Sequence, residues 1–443
     1  MNSNGLKNLP PDALIGQWGV EAVFDSHLGG IPGEKIIEVD ALRRELRMIQ
    51  ERKPVIGKDI NLSIDINIQK AVEDAFRGKA GALVAIKPGT GEILALESLP
   101  SFDPNIFPRV ITYNEWKSLM EDKKKPMLNR ALQSQYPPGS TFKVIIAVAG
   151  LEEGVIKPDT KVTCTGGINY GKWTFGCWKK GGHGTVDLHR AIVESCDVYF
   201  YEVGKRLGID RIHKYATLLG LGRETGINLV KEKNGLIPNT EWKKEKKGLT
   251  WYLGDTFISS IGQGYVSATP IQMAIMMSTV TSGGHKYKPT MIKGDSELLE
   301  TVSLKKETIE FMKEALSGVV NKPNGTAQRA KSSLVMIGGK TGTSQVVGGK
   351  KKGAVAERFM DHAWFLAFAP VDNPEIALSV FVEHGGGGGA VASPIAKSAI
   401  EAYFLSKRRN SMDKKDDVAG TGDSSENRIS NNYALKNKNV QNR

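Results

Sequence analysis

Cysteine is scarce in this sequence of 443 residues. There are three, an odd number, which rules out a full set of intramolecular disulfides and leaves a free-thiol or metal-ligand role open. Long apolar runs are missing too. No stretch approaches the roughly 18 to 20 residues that cross a bilayer, and the opening "MNSNGLKNLPPDAL" lacks the charged-then-apolar pattern of a signal peptide. As written, the chain shows neither anchor nor export signal. It is read either as cytoplasmic or as the soluble part of a protein whose N-terminal anchor lies outside this sequence. Internal repeats are absent. "HGGGGGAV" lacks the lysine and hydroxyl that would complete a Walker phosphate loop and is read as a strand-to-helix turn. Trp173 and Trp178 lie among lysines, but no nucleic-acid-binding motif accompanies them, so no nucleic-acid partner is assigned.

What is present supports a large folded unit. A 40% hydrophobic content supplies a substantial core, and a formal charge of +12 suits anionic surroundings without choosing among nucleic acid, phospholipid head groups and an acidic polymer. Residues 1–57 are short on regular pattern and read as a truncated stalk or linker remnant. From Lys58 the pattern sharpens, with a helix expected from Ile66 to Phe76 and two strands around the turn Pro88-Gly89-Thr90-Gly91. Helical segments dominate from Ser140 to about Gly222, interrupted by the glycine-rich "CTGGINYGKWTFGCWKKGGHG", and another helix follows in "SATPIQMAIMMSTV". Strands return in "KTGTSQVV", "HAWFLAFAPV" and "EIALSVFVEHG", ahead of a last helix "SPIAKSAIEAYFL". Strands at both ends with helices between them predict an α+β domain over 58–405, its sheet closed by N- and C-terminal segments. Residues 406–443 turn polar and charged and are expected to be disordered.

Within that frame, "QYPPGSTFKVIIAVAGL" sets Ser140 and Lys143 one helical turn apart, just ahead of an apolar run. Ser-x-x-Lys occurs twice more, at Ser303/Lys306 and Ser411/Lys414, but neither has apolar support close behind it. At a helix N-terminus the serine's own N–H can stabilise an oxyanion, and a lysine on the same face, partly buried near another cation, can take the hydroxyl proton. The alternative is a serine N-cap followed by an exposed lysine. Two further patterns favour chemistry: Ser195-Cys196-Asp197 at an expected helix-to-helix joint, and Lys340-Thr341-Gly342-Thr343 on an expected strand. His362, in "DHAWF", is read as structural rather than as the histidine of a triad with Ser140.

The three cysteines, Cys164, Cys177 and Cys196, fall between Ser140 and Asp197, with His183 among them. The glycine-rich segment they enclose has little to bury and needs a staple. A tetrahedral zinc site of three cysteines and one histidine would supply it. A disulfide with one spare thiol, or three small buried residues, are the other readings.

Ser-x-x-Lys, Ser-x-Asp and Lys-Thr-Gly in this order resemble the penicillin-binding, serine-active transpeptidases. "NRALQSQYPPGSTFK", "SIGQGYVSATPIQMA" and "HAWFLAFAP" look like the class B penicillin-binding proteins of the elongation type, and "GVEAVFDSHLGGIPGEK" resembles their stalk. The resemblance implies the transpeptidase fold, an antiparallel sheet flanked by helices with an all-helical subdomain. It implies a serine-type D-alanyl-D-alanine transpeptidase or carboxypeptidase crosslinking peptidoglycan stem peptides. Ser140 would be the nucleophile and Lys143 its base, with Ser195 and Lys340 relaying a proton to the leaving amine. Lys340, Thr341 and Thr343 would hold the donor's carboxylate, with Ser140 and Thr343 N–H groups forming the oxyanion hole and Gly342 leaving room along the strand edge.

Asp197, grouped by the resemblance with the substrate-binding residues Thr341, Gly342 and Thr343, stands where the wider superfamily has Asn; since it accepts hydrogen bonds but donates none, orienting Lys143 is its alternative role. β-Lactams would acylate the same serine. One structural zinc on Cys164, Cys177, His183 and Cys196 would brace Ser195. The implied place is the periplasmic face of the cell inner membrane, and the implied partners are a glycan polymerase of the shape and elongation class and the elongation complex. A D,D-carboxypeptidase or β-lactamase using the same serine, and a non-catalytic penicillin-binding sensor or scaffold, are the competing functions.

Overall fold

The hairpin expected around Pro88-Gly89-Thr90-Gly91 forms strands Gly81–Ile86 and Ile93–Leu99. Gly91 takes φ +77°, and a Cβ there would lie 2.2 Å from the Lys288 carbonyl oxygen, so only glycine fits. The late apolar segments become strands Gly338–Ser344, His362–Ala369 and Ile376–Val382. All five join in one antiparallel sheet, in the order 338–344, 362–369, 376–382, 81–86, 93–99. Early and late chain segments thus close a single sheet, as the α+β reading expects. This computed structural model describes residues 13–109, 111–229, 231–346 and 359–419, with side chains to 411.

Strand alternation separates the two faces of the sheet. Leu83 and Ala85 join Ile68, Val72 and Phe76 of the helix Ile66–Phe76 and Ile395 of the C-terminal helix. Ala82, Val84 and Ile86 turn the other way, onto Ile271, Ala274 and Ile275 of the helix Pro270–Thr281. That helix is buried on all sides, and its start is fixed by proline in the first turn and a Thr269–Gln272 capping box. The first helix begins at Asp65, whose carboxylate accepts from the Asn67 N–H, and ends at Arg77 in the left-handed region.

Helices Lys143–Glu152, Leu188–Val193, Asp197–Leu207 and Ile209–Leu218, with Leu253–Ser260 packed on the third of them, form the helical part. The glycine-rich interruption folds as two small ribbons, Val162–Cys164 with Gly184–Val186 and Gly167–Tyr170 with Trp173–Gly176. Ahead of Lys58, a hairpin of Glu34–Val39 and Glu45–Arg52 stands out from the body, and no described residue before 58 is buried. The arm has no core of its own.

The C-terminal end departs from expectation. The last helix spans Gly388–Ala419, past the predicted boundary at Leu405, so the onset of disorder at 406 is corrected. Its polar residues are competent helix formers, and Tyr403 and Lys407 both reach Glu375 while the Ser406 hydroxyl donates to Asp65 at 2.9 Å. Residues 420–443, the rest of the predicted tail, lie outside the described residues. No helix among the described residues is long and apolar enough to cross a membrane.

Candidate active site

Ser140 lies in a 3-10 turn, Gly139–Phe142, that runs straight into the helix Lys143–Glu152. Two glycines make the turn possible. Gly139 has φ +57°, and a Cβ on it would sit 2.6 Å from the Thr343 carbonyl oxygen; a Cβ on Gly262 would sit 2.3 Å from the Gly139 oxygen. The turn is therefore wedged between the 338–344 edge strand and the Gly262 loop. From behind, the Pro137 carbonyl accepts from the Trp364 indole N–H at 3.1 Å and from the Ser344 hydroxyl. Ser140 does not cap its helix, and Lys143 is fully buried rather than exposed, which removes the capping alternative.

The Lys143 amine donates to the Ser195 carbonyl at 2.9 Å, the Ser195 hydroxyl at 3.2 Å and Asp197 Oδ1 at 2.6 Å. Lys340, also fully buried, donates to the same Ser195 hydroxyl at 2.9 Å. Burial pushes its pKa well below the ordinary lysine value, the Lys143 charge adds to this, and Asp197 opposes it. Ser195 takes a left-handed φ of +55°, uncommon outside glycine, between the helices Leu188–Val193 and Asp197–Leu207. One hydroxyl therefore bridges two amines delivered by distant parts of the chain. Among the described residues, the Ser140 hydroxyl makes no hydrogen bond.

Ser140, Ser195, Asp197, Thr341, Gly342 and Thr343 all line one cleft of about 880 Å³. Thr343 is exposed to it at the free edge of the sheet. Gly342 has a more immediate reason than ligand access: a Cβ there would meet the Pro138 oxygen at 2.8 Å and the Thr141 methyl at 2.9 Å. Asp197 accepts on both oxygens from protein donors, the second from the Trp178 backbone N–H at 2.9 Å, so it orients Lys143 as its acceptor-only chemistry suggests. His362 makes no contact with Ser140. Its Nδ1 accepts from the His384 N–H at 2.9 Å, and burial, helped by His384, lowers its pKa to about 4.

Sequence reading missed several cleft residues. The Thr326 hydroxyl pairs with that of Thr341 at 2.8 Å, and the Gln263 side chain donates to the Thr343 carbonyl at 3.2 Å. Gln263 stands inside "SIGQGYVSATP" and could have been found there. Thr326, in "NGTAQ", carries no such signal.

Cys164, Cys177, His183 and Cys196 are all buried, with ligand atoms within 4.8 Å of one another and no disulfide among them. His183 Nδ1 lies 3.6 Å from Cys164 Sγ and 3.5 Å from Cys177 Sγ. Ordinary zinc–sulfur and zinc–nitrogen bond lengths at tetrahedral angles give a nitrogen–sulfur edge of about 3.6 Å. The donor set fits such an ion in both chemistry and spacing. The neighbouring Cys196 thiol lowers the pKa of Cys177, against the opposing effect of burial.

Residues 81–401 match the penicillin binding protein transpeptidase domain, and residues 1–62 match the penicillin-binding protein dimerisation domain. The peptidoglycan D,D-transpeptidase MrdA of Acinetobacter baumannii is 37% identical over 93% of this chain and 64% of its own length, so this chain spans just under two thirds of that relative. Penicillin-binding protein 2 of Pseudomonas aeruginosa, solved with WCK 5153, superposes with a TM-score of 0.79 at 36% identity, covering 91% of this chain and 86% of that one. The Helicobacter pylori protein solved in complex with MreC gives a TM-score of 0.81 at 32% identity, covering 88% and 72%. With the three motifs gathered on one cleft, the conclusion is direct: the chain belongs to the penicillin-binding protein transpeptidase family.

Proposed function

We propose that this protein is a peptidoglycan D,D-transpeptidase of cell-wall elongation, acylated at Ser140 by the D-alanyl-D-alanine end of a stem peptide. The observation that carries the reading is the convergence of Lys143 and Lys340 on the Ser195 hydroxyl, in a cleft that Ser140 also lines. The donor's carboxylate binds at Lys340, Thr341 and Thr343, where a cation stands beside hydroxyl donors. That negative charge favours the protonated form of Lys340. A proton then passes from Lys143 through the Ser195 hydroxyl to Lys340, and Lys143 gains the lone pair that takes the Ser140 proton.

Ser140 Oγ bonds to the penultimate D-alanine carbonyl carbon, with the Ser140 and Thr343 N–H groups holding the oxyanion. The C–N bond breaks as the terminal D-alanine nitrogen accepts a proton relayed by Ser195 from Lys340. An amine of a second stem peptide then attacks the ester, forming the crosslink and returning the proton to Ser140. β-Lactams acylate the same oxygen.

A zinc ion on Cys164, Cys177, His183 and Cys196 would tie the two ribbons to the start of the Asp197–Leu207 helix. It would supply structure rather than reactivity, since four protein ligands leave no open position. Metal analysis is expected to find about one zinc per chain, and Cys177→Ser to lose it. Crosslinking wall peptide requires work at the periplasmic face of the inner membrane. A glycan polymerase of the shape and elongation class and elongation-complex proteins are the expected partners; the MreC complex of the Helicobacter relative supports this.

Labelling with fluorescent penicillin, followed by mass mapping, is expected to place the adduct on Ser140 and to fail with Ser140→Ala. An adduct on the Ala variant overturns the assignment. Rapid hydrolysis of the label would instead make the protein a β-lactamase.

A further inference from the structure

Trp178 directly follows Cys177 and lines the cleft, yet its side chain is 60% exposed. A tryptophan kept for packing is normally far more buried. What this one uses is its polar edge. Its backbone N–H donates to Asp197 Oδ2 at 2.9 Å, while Lys143 occupies Oδ1 of the same carboxylate at 2.6 Å. Its indole N–H is shared between the Glu194 and Ser195 carbonyls, 3.1 Å from each, and Lys143 donates to that Ser195 carbonyl at 2.9 Å. Both backbone and carboxylate acceptors of the Lys143 amine are thus gripped a second time by one residue from the ribbon segment. Ser195 sits at φ +55°, a conformation that persists only where its surroundings hold it.

We propose that Trp178 is a positioning residue for acylation: by donating to the Ser195 carbonyl and to Asp197, it fixes two of the three acceptors that aim the Lys143 amine. The inference rests on the acylation reading above. It assigns Trp178 no contact with the reacting atoms.

The test is Trp178→Phe, which deletes the indole donor and keeps an aromatic ring and the backbone N–H. With fluorescent penicillin, the first-order acylation rate at saturation is expected to fall about tenfold, equivalent to about 1.4 kcal/mol, while the half-saturating concentration stays within about twofold. Zinc content and thermal midpoint are expected to match wild type. Trp173→Phe, five residues earlier on the ribbon strand Trp173–Gly176 but outside the cleft lining, is expected to leave the rate unchanged. An unaltered rate in Trp178→Phe overturns the inference. So does an equal loss in Trp173→Phe, or a loss accompanied by release of metal, since either marks general loosening of the ribbon. A wild type that fails to label at all overturns the transpeptidase reading itself, whereas a labelled wild type matched by Trp178→Phe overturns only the role of Trp178.

Discussion

At one edge of the sheet, on strand Gly338–Ser344, the Lys340 amine is fully buried; at the other, on strand Ile93–Leu99, the Glu97 carboxyl is 8% exposed. Burial pushes both toward neutrality: Lys340 falls well below the lysine value, and Glu97 rises to about 7, through burial first and the Glu73 charge second, with a hydrogen bond from Gln69 opposing. Only the first edge belongs to the proposed active site. Lys340 is buried but meets a hydroxyl shared with a second amine, and that hydroxyl's residue, Ser195, lines an open cleft at the free edge of the sheet. Glu97 meets an amide from the helix Ile66–Phe76 at 2.6 Å. A perturbed ionisable group becomes a site where separate chain segments bring a nucleophile, a relay and room for substrate to it.

The comparison breaks most directly at Lys340. Lys340→Ala is expected to slow penicillin acylation by about a thousandfold, within the range for loss of a positioned proton carrier and charge, whereas Glu97→Ala should leave the rate unchanged. Equal sensitivity of both edges would remove the distinction. Ser195→Ala comes next, at about a hundredfold, because the bridge between the amines is lost while both amines remain. Stopped-flow acylation measures both.

The opposite edge is sharpened by pH. The folded carboxyl of Glu97 titrates near 7 against an ordinary value of 4.5, so between those values the native state binds more protons than the unfolded chain. Its contribution is complete below about pH 4.5 and is lost as pH rises through about 7. Glu97→Gln cannot titrate and still offers an oxygen to Gln69. The variant is expected to flatten the decline of stability from pH 5 to 8 by about 2 kcal/mol. Thermal unfolding at the two pH values checks this; parallel declines would show that Glu97 ionises normally.

How far the sequence discloses this arrangement depends on how local each signal is. Ser140 with Lys143, Ser195 with Asp197 and Lys340 with Thr343 are short patterns, so they could be recognised before any fold was known. The helix Ile66–Phe76 was legible at both ends because Asp65 caps it and its apolar residues recur at helical spacing. The role of Trp178 was not legible, since its indole donates to backbone carbonyls, which carry no residue identity. Thr326 was hidden because its partner Thr341 comes from another element. The helix beyond Leu405 was missed because composition registers polarity but not the ties from Tyr403 and Lys407 to Glu375.

The smallest effect separates the catalytic edge from the strand behind it. Trp364, on the neighbouring strand His362–Ala369, is fully buried and donates its indole N–H to the Pro137 carbonyl, three residues before Ser140. Trp364→Phe keeps most of the buried aromatic area and removes that donor. Because the Ser344 hydroxyl donates to the same carbonyl, the Pro137 oxygen is left with one partner rather than none. The expected loss is therefore that of one neutral hydrogen bond, about 1 kcal/mol, divided between stability and a fall in acylation rate of no more than about fivefold. If the turn is wedged mainly by the close approach of Gly139 to Thr343, the rate will hold and only the thermal midpoint will drop. A hundredfold loss of rate would instead place the aim of Ser140 in this hydrogen bond and carry the catalytic edge one strand deeper into the sheet.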